Sequence, residues 1–257
     1  EQQQQVSQRR RLLEVNEAAA SWFHARLLTD PLAQSARDYL EGRGFGRETI
    51  ESARLGFAPD SYDGLINHLH SQGFDAALCI DAGLAKRSER GSVYATFRNR
   101  VQIPILDRMG RPIAFGGRLL SDEKQAKYIN SPETDIYSKS SVLYGLSWAK
   151  PAVAKHDRLL LVEGYFDVLS LHQAGFKETV ATCGTALTRQ QVQEIKRLTQ
   201  TVIAVFDMDE AGERAGEKAL SLFLDCEIEP RHLLLPDAKD PDEFIQRQGA
   251  EAFQRQL

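Results

Sequence analysis

Acidic residues follow three apolar segments in the second half of this 257-residue chain. The segments are 159–162, 202–206 and 233–235, and each is short and apolar enough to predict a buried β-strand. The acids that follow them are Glu163 after the first, Asp207 and Asp209 after the second, and Asp240 and Asp242 after the third. In an open α/β sheet, ligands bind at the carboxyl ends of the strands. Carboxylates gathered there repel one another unless they share a cation, and Mg²⁺ is a usual partner for oxygen ligands.

Such a cluster supports two-metal phosphoryl chemistry. Neighbouring strands lie about 4.8 Å apart, so acids at their ends can share an ion. Two ions about 3.5–4 Å apart can then be bridged by carboxylate or phosphate oxygens. Asp167 lies one helical turn after Glu163 and can reach the same side. The sequence therefore predicts a site for two or more Mg²⁺ or Mn²⁺ ions.

Each acid also has a structural interpretation. An acid placed just before a helix commonly accepts hydrogen bonds from the first backbone N–H groups, and this applies to Glu163, Asp207 and Asp240. Asp167 can equally be a first-turn acid that is favoured by the helix dipole. Glu163 can serve as a general base instead of a metal ligand. The interpretation as metal ligands is strongest for Glu163, Asp207 and Asp209 taken together.

The second half alternates between predicted strands and predicted helices. The strands fall near 159–163, 179–182, 201–206 and 231–235, and the helices near 165–174, 188–199, 211–224 and 241–256. Repeated strand–helix units with short connections predict a mainly parallel sheet with helices on both faces. We assign this α/β domain to residues 158–257.

The first half, residues 1–157, has a different pattern, which predicts an α+β domain. Apolar residues at helical spacing predict a helix over 7–28, and Asp30 followed by Pro31 predicts the start of another that continues to about Arg43. Short helices are expected near 47–54, 63–72 and 74–82, and strands near 93–97, 101–106 and 112–120. Residues 121–142 are polar and rich in turn residues.

The charge is distributed unevenly along the chain. The net charge is −4, but residues 1–157 carry +2, residues 158–257 carry −6 and residues 84–130 carry +6. A locally basic strip predicts a surface for a polyanion, although a solvated sheet face is the ordinary alternative. Its cations on or beside predicted strands are Arg98, Arg100, Arg118 and Lys127. Tyr94, Phe97 and Tyr128 lie nearby and can stack on bases or belong to the core.

Other sequence features narrow the class of protein. Cys79, Cys183 and Cys226 form no closely spaced pair, which argues against a zinc site or a disulfide scaffold and favours a reduced, cytoplasmic setting. No apolar run approaches 18 residues, and the Gln-rich start is unlike a signal peptide, so we expect no membrane association. The start instead resembles a linker within a larger protein. The glycine-rich phosphate-binding motif of P-loop ATPases is absent.

Glu163, together with Asp207 and Asp209 separated by one residue, resembles the TOPRIM domain of topoisomerases, primases and some nucleases. Further motifs resemble one family, the bacterial DnaG-type primases, in the order of that family and over nearly the whole chain. These motifs are 55–59, Phe115-Gly116-Gly117-Arg118, 127–134, 136–139, 143–146, Glu163-Gly164-Tyr165-Phe166-Asp167 and Asp240-Pro241-Asp242.

The resemblance implies an α/β fold in which an N-terminal α+β subdomain with mixed strands precedes a TOPRIM parallel sheet. It implies a DNA primase that makes short RNA primers on single-stranded DNA from ribonucleoside triphosphates during replication. Glu163, Asp207 and Asp209 would hold catalytic metals, and Asp167, Asp240 and Asp242 would complete the acidic pocket. A basic ridge would comprise Arg43, Arg98, Arg100, Arg118, Lys127 and Lys139. The replicative helicase would bind a region outside this chain, and zinc is not expected in this part.

Three residues depart from the usual pattern of that family: Thr96, Ser140 and Glu210, the last of which replaces a basic residue. Two other functions stay open at this point. A TOPRIM nuclease or topoisomerase fragment would use the same acids to cleave phosphodiesters, and a non-catalytic module would only bind single-stranded DNA.

Overall fold

The computed structural model describes residues 2–121, 125–182, 184, 186–206 and 210–257, without the side chains of residues 2, 210–213 and 215. The chain forms two compact units, Glu1–Ser138 and Lys139–Leu257. Residues 139–157, which the sequence pattern places in the first domain, pack within the second unit. The reason is apolar burial, because Leu146, Ala149 and Val153 share one core with the parallel strands.

Among its described residues, the N-terminal unit contains five α-helices and one 3-10 helix. These are α1 (Gln2–Thr29), the 3-10 helix (Pro31–Ala33), α2 (Gln34–Gly42), α3 (Arg47–Ser52), α4 (Gly64–Ser71) and α5 (Ala76–Asp81). Asp30 caps the segment after α1, because its carboxylate accepts the Leu32 N–H at 2.9 Å. The helix predicted from Pro31 to Arg43 therefore starts where expected, but its first turn is a 3-10 helix.

Two antiparallel sheets complete the N-terminal unit. The strands are β1 (Gly56–Ala58), β2 (Ala85–Arg87), β3 (Val93–Ala95), β4 (Arg100–Leu106), β5 (Pro112–Leu119) and β6 (Tyr128–Asn130). The larger sheet has the order β1-β4-β5-β6, and β2 pairs with β3 in a separate ribbon. The sequence predicts β3, β4 and β5 but not β1, β2 and β6, each of which has three residues.

An aromatic core holds α1 against the larger sheet. Phe23 of α1 lies edge-to-face on Phe115 of β5, with ring centroids 5.4 Å apart, and Phe97 lies on the same ring at 6.2 Å. Gly56 permits this approach, since a Cβ atom there would lie 2.6 Å from the Phe23 Cβ. Within the described residues, every helix is too short or too polar to cross a membrane.

The second unit is a four-stranded parallel sheet flanked by helices. Its strands are β7 (Leu159–Val162), β8 (Thr179–Ala181), β9 (Val202–Ala204) and β10 (Arg231–His232), in the order β10-β9-β7-β8. Its helices are α6 (Leu146–His156), α7 (Tyr165–Gln173), α8 (Arg189–Lys196), α9 (Glu210–Asp225) and α10 (Pro241–Gln256), the last of which is interrupted at Gly249. The fold class predicted from the sequence is confirmed.

Two details of this unit differ from the prediction. The last strand, predicted over 231–235, covers only Arg231–His232, and Leu234 is 55% exposed. This strand lies at the edge of the sheet, and only the Leu233 N–H continues the pairing, to the Ala204 carbonyl at 2.9 Å. Helix α6, which contains Pro151, was not predicted.

Candidate functional site: an acidic sheet edge and an arginine-bearing surface

The parallel sheet brings the carboxyl ends of β7 and β9 side by side. Leu161 pairs with Ala204, and the Val205 N–H donates to the Leu161 carbonyl at 2.8 Å. Glu163 follows β7 directly and is partly buried. Phe206 is followed in the sequence by Asp207 and Asp209, which lie outside the described residues. The structure thus gives Glu163 its predicted place at the sheet edge, and the positions of Asp207 and Asp209 stay a prediction.

Asp167 is buried in the first turn of α7, and backbone groups occupy both of its carboxylate oxygens. One oxygen, Oδ2, accepts the Gly164 N–H at 3.1 Å, and Oδ1 accepts the Asp242 N–H at 3.3 Å. A Cβ atom at position 164 would lie 2.8 Å from that Oδ2 atom. Gly164 therefore makes room for the Asp167 carboxylate.

Helix α10 brings the acids Asp240 and Asp242. Asp240 is the N-cap residue, and its Oδ1 accepts the Glu243 N–H at 2.7 Å. Asp242 is 4% exposed, and its Oδ1 accepts a hydrogen bond from Gln246 Nε2 at 2.9 Å. The capping interpretation of Asp240 is therefore correct in this structure. Because the Asp242 N–H reaches Asp167, the start of α10 is tied to the turn that follows β7.

The donor set at this edge consists of carboxylate oxygens, which suits Mg²⁺ or Mn²⁺. Among the residues that the structure describes, no three acids, histidines or cysteines are grouped closely enough to hold a metal ion. A complete ligand set would therefore need Asp207 and Asp209. Beside the site, the Lys239 N–H is the main cause that holds the pKa of the Glu243 carboxyl below its usual value.

In the N-terminal unit, Arg98, one of the predicted DNA-binding arginines, lies on an aromatic ring. The Arg98 Cζ atom lies 3.7 Å from the centre of the Tyr62 ring, and Tyr62 is 61% exposed. The Tyr94 ring stands edge-on to Tyr62, with centroids 6.3 Å apart. A guanidinium group and an exposed ring side by side offer both a phosphate contact and a stacking surface.

Two further arginines, Arg43 and Arg118, share the ring of Tyr39 in α2. The Cζ atoms of Arg43 and Arg118 lie 5.5 and 5.0 Å from the Tyr39 ring centre, and Arg118 also lies 5.5 Å from the ring centre of Tyr128. Both arginines are partly exposed. The structure therefore gathers Arg43 and Arg118 at one place, as the predicted ridge requires.

Arg100 differs from the other predicted cations because it is buried. Its Nη1 atom donates to the carbonyls of Gly117, Ala126 and Lys127, at 3.2, 2.9 and 3.4 Å, and the residue is 3% exposed. Burial is the main cause that lowers its pKa, followed by the charges of Arg118 and Arg98. This geometry supports a structural role for Arg100, in which it ties β5 to the segment before β6.

The remaining predicted cations, Lys127 and Lys139, lie in different units. Lys127 is exposed and Lys139 is partly exposed, and the Lys139 carbonyl accepts a hydrogen bond from Gln191 Nε2 at 3.1 Å.

Sequence reasoning missed Tyr62 and Gln246. The i,i+4 spacing of Asp242 and Gln246 was a usable signal for Gln246. No local signal links Tyr62 to Arg98, since they are 36 positions apart.

A parallel sheet with acids at its carboxyl edge is the arrangement expected of a TOPRIM domain. Residues 160–245 match the family described as Toprim-like. The N-terminal unit narrows that class, because residues 22–150 match the family described as DNA primase catalytic core, N-terminal domain. The chain belongs to the family of DnaG-type DNA primase catalytic cores.

Individual proteins agree with this assignment. The chain is 40% identical over 247 residues to a DNA primase of Halalkalibacterium halodurans, a match that covers 96% of this chain and 41% of that protein. It is 41% identical over 238 residues to a DNA primase of Escherichia coli K12, covering 91% of this chain and 41% of that protein. The chain thus spans less than half the length of these relatives.

Solved structures give the same result for the fold. The RNA polymerase domain of Mycobacterium tuberculosis primase DnaG superposes with a TM-score of 0.90 at 36% identity, covering 97% of this chain and 83% of that one. A DnaG primase catalytic domain bound to single-stranded DNA gives 0.89 at 38% identity, covering 98% of this chain and 79% of that one.

Proposed function

We propose that this chain is the catalytic core of a DNA primase, which extends RNA primers on single-stranded DNA by metal-dependent nucleotidyl transfer from ribonucleoside triphosphates. The observation that carries the proposal is the register of β7 and β9 in a chain of the primase core family. This register places Glu163 beside the segment that leads to Asp207 and Asp209. Mg²⁺ or Mn²⁺ is the proposed cofactor, with two or more ions held by these three acids and by Asp242.

The protein groups of this reaction bind and orient the reactants. When bound, the metal ions would lower the pKa of the attacking 3′-hydroxyl group and stabilise charge on the pyrophosphate that leaves. Glu163, Asp207, Asp209 and Asp242 would hold the ions, so the protein would need no strong base of its own. Asp167 and Asp240 support the site through the backbone bonds described above.

The template would bind the N-terminal unit. Arg98 and Tyr62 offer one phosphate contact and one stacking ring, and Arg43, Arg118 and Lys127 add positive charge. Two related structures support this proposal, since one contains single-stranded DNA and another contains a double-stranded oligomer with a 6-nucleotide overhang. We propose no direct contact for Arg100, because its guanidinium group is buried. The replicative helicase is a proposed partner through segments outside this chain, in the cytoplasm.

Extension of a primed template tests the proposal without depending on initiation. A short RNA annealed to single-stranded DNA is incubated with the chain, Mg²⁺ and labelled ribonucleoside triphosphates. We expect RNA lengthened by template-directed nucleotides, and no product when EDTA replaces Mg²⁺. Strand scission without extension would assign a TOPRIM phosphodiesterase instead. DNA binding with neither product would assign a binding module.

A further inference from the structure

Asp167 joins two segments of the acidic site that are far apart in sequence. Its two carboxylate oxygens accept N–H groups from Gly164, three residues before it, and from Asp242, 75 residues after it. Asp167 is 8% exposed and Asp242 is 4% exposed, so these bonds are shielded from water. A carboxylate that accepts two backbone N–H groups in a buried setting is fixed in position.

The two N–H groups come from the backbone that carries the proposed metal ligands. Gly164 directly follows Glu163, and the second bond comes from the backbone of Asp242 itself. Gln246 holds the side chain of Asp242, because its Nε2 atom donates a hydrogen bond to Asp242 Oδ1. A shift of the Asp167 carboxylate would therefore change the separation between the Glu163 turn and the first turn of α10.

We propose that Asp167 is a positioning residue, which sets the separation of Glu163 and Asp242 by bridging their backbones and does not itself bind the metal ions. The inference rests on the proposed function for its consequence, since it concerns the same acidic site. It differs from the expectation drawn from the family resemblance, in which Asp167 is one of the acids of the metal pocket. A backbone bridge should persist in metal-free protein, whereas a ligand role requires the metal ion, and this difference separates the two interpretations experimentally.

Asp167→Asn is the direct test, because an asparagine side chain can accept one of the two N–H groups but turns its own NH₂ group towards the other. In metal-free protein, we expect amide hydrogen exchange at Gly164 and Asp242 to rise at least about tenfold. Mn²⁺ affinity, measured by electron paramagnetic resonance titration, should fall about 10- to 100-fold, as for other residues that orient metal ligands. Unchanged exchange at both amides in the metal-free variant would overturn the proposal, because a pure metal ligand would give that result.

Asp30→Asn is the matched control. Asp30 is also 8% exposed and also accepts a backbone N–H, from Leu32, but it lies in the N-terminal unit. The Asp30→Asn substitution should leave the Mn²⁺ affinity and the amide exchange at Gly164 and Asp242 unchanged. If Asp30→Asn lowers Mn²⁺ affinity as much as Asp167→Asn, the effect is general destabilisation and the proposal fails.

Gly164→Ala disturbs the same bridge from its other end and keeps the test usable if Asp167→Asn does not fold. The new Cβ atom would lie 2.8 Å from Asp167 Oδ2, so the carboxylate must move. We expect faster exchange at the Asp242 amide and weaker Mn²⁺ binding, and wild-type values for both would overturn the proposal.

Asp209→Asn separates the test of the proposed metal site from the test of the positioning role of Asp167. Wild-type Mn²⁺ affinity in that variant would refute the proposed metal site, whereas the metal-free exchange data would still decide the role of Asp167.

Discussion

The two units of this chain hold their charged side chains in different ways. In the parallel-sheet unit, the Asp167 and Asp240 carboxylates are held by backbone N–H groups at 2.7–3.3 Å. In the N-terminal unit, Arg98 and Arg118 lie on aromatic rings, with Cζ atoms 3.7–5.5 Å from the ring centres. Backbone bonds fix an oxygen atom in place, whereas a ring face lets a guanidinium group slide and reorient.

This difference matches the tasks proposed for the two regions. Metal-assisted transfer requires oxygen atoms placed to within a few tenths of an ångström, since small displacements cost large factors in rate. Attraction between cations and a phosphate chain falls off gradually with distance and tolerates small displacements. Substitutions at the sheet edge should therefore have severe effects on activity, and substitutions on the arginine-bearing surface should have graded effects on affinity.

The largest expected effect comes from Asp207→Asn or Asp209→Asn. Each change removes the charge of a proposed metal ligand, so primer extension should fall by more than about 100-fold with an unchanged melting temperature. The primed-template assay and thermal unfolding measure the two quantities. Asp225→Asn is the control, because Asp225 lies at the end of α9 and pairs with Arg189 on the surface. Wild-type extension by either variant would refute the metal-ligand assignment.

The next effect concerns stability and tests Arg100, which is held by backbone carbonyls although the other arginines of this surface lie on aromatic rings. Arg100→Met removes a buried donor from three carbonyls, so the free energy of unfolding should fall by about 2–3 kcal/mol. Urea denaturation measures this change, and Arg47→Met, on an exposed ion pair, should unfold like the wild type. If Arg100→Met keeps full stability but lowers the salt dependence of DNA binding, Arg100 contacts the template after all.

Much of the architecture follows from sequence periodicity. The alternation of apolar strands and amphipathic helices predicts the parallel sheet, and the acids at strand ends predict its functional edge. These signals are local, which explains why they succeed for β7 and α10. The last strand was predicted to continue to Leu235 because Leu233, Leu234 and Leu235 look buried in sequence, whereas it ends at His232 and Leu234 is exposed.

The roles of individual site residues were harder to predict. Arg98 and Arg100 are two residues apart and identical in type, yet one lies on an exposed ring and the other is buried under carbonyls. The bond from Asp242 to Asp167 spans 75 residues, so no local pattern reveals it. Side-chain partners depend on tertiary contacts, and a single sequence does not encode those contacts in its periodicity.

The parallel-sheet unit is expected to respond to acid through His172, which is buried at the end of α7. Burial lowers its pKa to about 4, while Thr179 accepts its Nε2–H bond at 2.9 Å, and Lys177 and Glu178 add smaller opposing effects. The unfolded chain binds a proton near pH 6.5 that the folded chain excludes, so stability falls as the pH drops from about 6.5 towards 4.

The expected loss from His172 between pH 7 and pH 5 is about 2 kcal/mol. His172→Gln keeps a side-chain donor and removes the titration, so the difference between wild type and variant isolates this group from the carboxylates. Urea denaturation at several pH values measures it. An identical pH slope for both proteins would show that His172 does not couple to folding.

The effects expected on template affinity separate charge from stacking within one contact. Arg98→Ala removes one phosphate partner, so the slope of log affinity against log salt should become shallower by about 0.7. Tyr62→Ala removes a stacking ring, so affinity should fall by about 1–3 kcal/mol at every salt concentration with an unchanged slope. Fluorescence anisotropy with labelled single-stranded DNA measures both quantities.

Two further variants make this last distinction decisive. Arg98→Lys keeps the charge but loses the planar group that lies on Tyr62, so its salt slope should match the wild type while its affinity drops. Arg47→Ala, on an exposed helix where Arg47 pairs with Glu51, controls for the loss of any positive charge. If Arg47→Ala changes the slope as much as Arg98→Ala does, binding follows net charge alone. The Arg98–Tyr62 pair would then have no special place in template recognition.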